Sequence, residues 1–141
     1  MKRALVLFAH GARDPRWAAP FEAVARRVAQ REPGVDVRLA FLEFMTPTLG
    51  AAGDALAEAG CECVDVVPLF LGAGGHVRLD LPRLLGELAI RYPGMAWRLQ
   101  PAIGEFDNVI DAMAVAVSGV LAGEPPGPAA RSIPPFPHPP E

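Results

Sequence analysis

The stretch ECVDVVPLFLGAGGHVRLDLP, residues 62–82, carries the decision about the fold. It opens with the apolar run ECVDVVPLFL, which breaks at Gly72, Gly74 and Gly75 and meets His76 before the polarity changes. Asp80 and Pro82 follow, residue types that cap a helix and fill its first turn, so a helix is expected from there to about Arg91. Read together, this is a strand, a glycine-rich loop and a helix. The same unit recurs along the chain.

The recurrence runs in both directions. Upstream, Arg3 to Ala9 reads as a strand with no polar face. Asp14 and Pro15 then suggest a cap and first helical residue, with the regular helix starting around Phe21 because of Pro20. Phe21, Val24, Ala25 and Val28 supply that helix's apolar stripe, and Arg26, Arg27, Gln30 and Arg31 its wet face. Pro33-Gly34 leads into a second strand, VDVRLAFLEF, and Thr46-Pro47 opens a helix ending near Gly60. Downstream, Pro93-Gly94 leads to a fourth strand, AWRLQ, and Asp107 is the expected cap of a last helix. There Ile110, Met113, Ala114, Val117 and Leu121 keep a period near 3.6. Alternation of this kind specifies an α/β fold: an open four-stranded parallel sheet with helices on both faces, a three-layer arrangement of the Rossmann or flavodoxin type.

The composition fits one such domain. The chain has 141 residues, 51% hydrophobic and 21% charged, so it buries a core and is not a disordered segment. A formal net charge of −3 offers no electrostatic footprint for nucleic acid. No window approaches the roughly 18 apolar residues of a membrane span, and the apolar stretch Ala4 to Ala9 is too short for a signal core. Cys61 and Cys63 are too close in sequence for an unstrained bridge, which fits a reducing cytoplasm, and as a lone C-x-C they read as small buried residues rather than a zinc site. The domain is expected to span residues 1–122. Residues 123–141, with eight of the sixteen prolines, read as an extended tail without a core, with Ile133 and Phe136 as its possible docking points and His138 solvated.

In open α/β sheets ligands bind outside the carboxyl ends of the strands. His10 follows strand one, Glu43 ends strand two and His76 follows strand three, each 33 residues from the next. Equivalent places in successive units bring these three metal-ligand types to one rim. Each also has a structural reading: His10 as a turn hydrogen-bonder, Glu43 as a costly buried carboxylate paired with Arg13 or Arg78, and His76 as a helix-start residue capping backbone. Other chemistries are unsupported. The only serines are Ser118 and Ser132, inside a helix and in the tail, so there is no nucleophile elbow. GAGGH lacks both phosphate-loop spacings, and Ala9 stands where a histidine phosphatase needs arginine.

Three motifs in order, AHGARDPRW, FLEFMTPTL and VPLFLGAGGHVRLDLP, resemble the short sirohydrochlorin chelatases of the CbiX type, over about residues 1 to 120. One departure is Ala12, where the family's HGSRDP has serine. The resemblance implies a chelatase-like fold and a lyase that inserts Co²⁺, or alternatively Fe²⁺ or Ni²⁺, into sirohydrochlorin for cobalamin or siroheme synthesis. It makes His10 and His76 the metal-handling histidines and Glu43 the acidic residue that accompanies them. The metal is then a substrate, with no resident cofactor. Because longer relatives hold two such units in one chain, a single unit implies a homodimer.

The residues suit that chemistry. Imidazoles favour cobalt, nickel and iron(II) over magnesium, and histidine accepts protons near neutral pH. Two histidines and a carboxylate make an open site that releases its ion, unlike a closed four-ligand cage. A flat polycarboxylated ring needs cations and apolar walls, for which Arg13, Arg16, Arg78 and Leu71 are candidates, with clearance at Gly72, Gly74 and Gly75. A non-catalytic metal or tetrapyrrole carrier using the same rim is the competing function.

Overall fold

The computed structural model describes residues 1–72, 74–123 and 127–135, with His76 described by its backbone alone. Four strands, β1 (Arg3–Ala9), β2 (Val35–Phe41), β3 (Cys63–Pro68) and β4 (Ala96–Leu99), form one sheet in the order β2-β1-β3-β4. All three pairings are parallel, and Leu5 of β1 sits opposite Val37 on one side and Asp65 on the other. The apolar β1 is therefore central, which is why it has no polar face.

Side-chain alternation assigns the two faces. Ala4, Val6, Phe8, Ala40, Val64 and Val66 pack under α2 (Leu49–Glu58) and α3 (Gly75–Arg91), whose Leu49, Ala52, Leu56, Leu81, Leu85 and Leu88 complete the main core. Full burial of Val6, Phe8, Leu56, Val64 and Val66 contributes about 1.5–3 kcal/mol each. The opposite face meets α1 (Ala19–Arg31) through a smaller cluster of Ala9, Ala18 and Phe41 with Trp17, Phe21 and Leu39. No residue of α1 is fully buried, and Val24 of the expected stripe is 42% exposed.

Several boundaries differ from those expected. Asp14 caps a 3-10 turn, Pro15–Ala18, by accepting a hydrogen bond from the Arg16 amide at 2.9 Å, and α1 follows at Ala19. Pro20 in its first turn costs no intrahelical bond, so it does not delay the helix to Phe21. The Thr46–Pro47 peptide is cis, and α2 starts two residues later, where Thr48 Oγ1 accepts from the Ala51 amide. The α3 helix begins at Gly75, not at Asp80, and Pro82 lies inside it. The buried positions Val77, Leu81, Leu85 and Leu88 hold that helix together and outweigh the bond that proline withholds.

The last helix, α4 (Asp107–Leu121), has Phe106 at its N-cap and Asp107 in its first turn, so the expected aspartate cap is instead a dipole partner. None of its residues is buried. Residues 127–135 carry no helix or strand and are exposed; Phe136 and His138 of the tail lie outside the described residues. Among the described residues no helix is long and apolar enough to cross a membrane. Cys61 is buried, Cys63 half-buried, and both are free thiols.

Candidate active site

The strands expected to run on through Phe44 and Leu71 end at Phe41 and Pro68, and the residues released form the carboxyl rim of the sheet. Parallel bonding persists briefly beyond them. The Leu42 amide donates to the Ala9 carbonyl at 2.9 Å, the Glu43 amide to the His10 carbonyl at 3.0 Å, and the Leu69 amide to the Phe8 carbonyl at 2.7 Å. His10 and Glu43 are thus bonded backbone to backbone. Gly11 is required at this contact: its φ is +86°, and a Cβ there would run into the Glu43 carbonyl. Phe44 then turns the chain away with φ 64°.

The His10 side chain is exposed and its ring lies on Phe70, with centroids 4.3 Å apart and planes tilted by 32°. Phe70 is only 4% exposed, so it forms a fixed floor beneath one face of the imidazole while leaving the ring edge open. Glu43 is exposed, which corrects the expectation of a buried carboxylate. Among the described residues it forms no ion pair with Arg13 or Arg78, so the salt-bridge reading is not supported. His76 is the second residue of α3, the helix that follows β3, and β3 is the other neighbour of β1. Its side chain lies outside the described residues. Among those described, no three metal-type side chains converge.

The surrounding candidates divide. Arg13 sits with its guanidinium 5.0 Å from the centroid of the Phe44 ring, and Phe44 is 58% exposed. Arg16 is committed to Asp14 through Nε and Nη2, the shortest bond being 2.8 Å, and this pairing holds the Asp14 carboxyl below the usual range. Arg78 is exposed and lines a cavity of about 150 Å³ with Phe70, Gln100 and Glu105, too small for a macrocycle. Gly72, Gly74 and Gly75 face open space, Gly74 being the N-cap of α3. Leu71 stands 71% exposed beside them. Phe44 and Phe70 are the rim residues that sequence reading missed. Both fall within apolar runs that read as strand, and only the cross-strand pairing reveals what they touch.

The fold is an open parallel α/β sheet of the doubly wound class, in which ligands bind outside the carboxyl ends of the strands. Comparison with known proteins narrows this. The sequence pattern of the CbiX family matches residues 4–119, and the chain belongs to that family. It is 39% identical over 83 residues to the sirohydrochlorin cobaltochelatase of Methanocaldococcus jannaschii, a stretch covering 59% of this chain and 58% of that enzyme. The chain therefore matches little more than half the length of such relatives. Among solved structures, a CbiX protein from Marinobacter aquaeolei VT8 superposes with a TM-score of 0.77 at 30% identity, covering 86% of this chain and 98% of the other. The sirohydrochlorin chelatase SirB of Bacillus subtilis subspecies spizizenii, in complex with cobalt, gives 0.69 at 26%, with 85% of this chain on 51% of that one.

Proposed function

We propose that the protein inserts a divalent metal ion into sirohydrochlorin, with Co²⁺ as the first choice and Fe²⁺ or Ni²⁺ as alternatives. The observation that carries this reading is the backbone clamp between His10 and Glu43 on the sheet edge where α3 begins, with His76 as its second residue. His10, Glu43 and His76 act as the open ligand set for the incoming ion, and the histidines accept the two pyrrole protons that the metal replaces. Cobalt comes first because the matched relatives are named cobaltochelatases.

Arg13 and Arg78 meet the ring's carboxylates, while Leu71 and Phe44 wall its faces. Arg16 and the glycines Gly72, Gly74 and Gly75 belong to the same substrate surface, Arg16 chiefly by fixing the turn with Asp14. The working unit is a homodimer in the cytoplasm. Its support is that 85% of this chain accounts for only 51% of the longer SirB.

Turnover separates an enzyme from a carrier. With Co²⁺ and sirohydrochlorin in excess, the absorbance change of metallation should continue well past one equivalent per chain. A burst that stops at one equivalent supports the carrier and overturns the enzymatic reading.

A further inference from the structure

Among the described residues, Phe44 is the only one besides glycine with a positive φ, 64°. The Met45 amide donates to the Glu43 carbonyl at 2.8 Å, so Glu43, Phe44 and Met45 form a γ-turn of the rare class whose central residue has positive φ. A bulky side chain is strained in that region, which glycine or asparagine enters more easily. Packing does not offset the strain, because Phe44 is 58% exposed.

The fold holds this turn from both ends. Upstream, the Leu42 and Glu43 amides are bonded to the Ala9 and His10 carbonyls, and Leu42 packs on the main core under α2 and α3. Downstream, Met45 packs on the smaller cluster under α1, and the Phe41 amide donates to the Pro47 carbonyl at 2.9 Å, closing the loop at its base. Leu42 and Met45 are thus drawn to opposite faces of the sheet, and Glu43 and Phe44 between them stand exposed on the rim. A strained residue persists only where its surroundings over-determine it, and such residues cluster at ligand sites.

Backbone strain and an exposed apolar ring both destabilise the chain, and nothing within the chain compensates for them, so the gain lies with a ligand. The Arg13 guanidinium, 5.0 Å from the Phe44 ring centroid, indicates its chemistry. An aromatic face with a cation beside it suits a flat conjugated molecule that carries carboxylates on its edge. We infer that Phe44 is a positioning residue: the strained turn stands its ring on the rim, where it stacks on the metal-free macrocycle and holds it beside the Glu43 carboxylate that the same turn carries. This rests on the chelatase reading above and adds to it that the protein grips the macrocycle without help from the metal.

The test compares the full chain with Phe44→Gly, Phe44→Ala and Phe44→Tyr, titrating each with metal-free sirohydrochlorin and following its visible absorbance. Glycine and alanine both delete the ring and should raise Kd about tenfold, whereas tyrosine keeps the aromatic face and should stay within about twofold of the wild type. In thermal unfolding without ligand, Phe44→Gly should melt above Phe44→Ala, the reverse of the order at an ordinary position, because only glycine relieves the turn. Affinity that survives loss of the ring, or a glycine variant that melts below the alanine one, overturns the inference and leaves the chelatase reading standing. A wild type that metallates sirohydrochlorin yet binds no metal-free ring also overturns the inference alone. A wild type that neither binds nor metallates it overturns both.

Discussion

The imidazole of His10 rests on the ring of Phe70, 4.3 Å between centroids, at the point where the central strand of the sheet releases its chain. An aromatic floor of this kind is worth about 0.5–1.5 kcal/mol and selects one ring orientation. Phe70→Leu keeps most of the buried volume, so stability should change by less than about 1.5 kcal/mol. Metal insertion should nevertheless slow several-fold, since His10 loses its preferred orientation. Urea unfolding alongside the insertion assay checks this, and an unchanged rate would remove Phe70 from the account.

Gly11 holds the His10 and Glu43 chains together. Gly11→Ala places a methyl on the Glu43 carbonyl in a left-handed conformation, which costs about 1–2 kcal/mol from the backbone alone. The contact must open, so insertion activity should fall even in preparations that remain folded. Full activity with wild-type stability would contradict the clamp.

Arg13 and Arg16 lie three positions apart in sequence but differ in structure. Arg13 faces the exposed Phe44 ring, whereas Arg16 is taken up by Asp14. Arg13→Ala should raise KM for sirohydrochlorin with little change in kcat, the mark of lost ground-state binding. Arg16→Ala should affect KM less. Steady-state kinetics that reverse this order would reassign the substrate-facing cation.

Acid stability is expected to depend on Asp65. Its carboxylate accepts from Arg98 Nε and Nη2 at 2.9 and 2.7 Å and from Gln100 at 2.9 Å, with Arg3 at 3.6 Å. Arg98 above all holds its pKa below the ordinary aspartate value. A carboxylate lowered in the folded state stabilises at pH values above its unfolded pKa of about 3.9 and loses that contribution as pH falls through the folded value. Asp65→Asn should lose about 1 kcal/mol at neutral pH, the arginines being more than half exposed, and should flatten the acid limb of the stability curve. Parallel curves for variant and wild type between pH 5 and 2 would contradict this.

The alternation of apolar runs and helical stripes made the four-stranded parallel sheet legible, and glycine and proline punctuation placed most of the turns. Strand ends were less legible because Leu42 and Leu69 continue the apolar runs while only backbone bonding marks where the ladder stops. Gly74 and Gly75 read as breakers, yet the burial of Val77, Leu81, Leu85 and Leu88 extends α3 back across them. Within the site, the positions of His10 and Glu43 could be read from spacing. The floor provided by Phe70 could not, because it depends on β3 lying beside β1. The stripe on α4 announced an apolar face without saying which surface it meets.

The proposed roles of His10 and His76 in metal insertion are decided by replacing each in turn. In a Co²⁺ insertion assay on sirohydrochlorin, His10→Ala and His76→Ala are each expected to lower kcat about 10²- to 10⁴-fold, the range typical for removing a group that binds or transfers protons, while circular dichroism stays unchanged. Wild-type turnover in either variant would contradict the assignment.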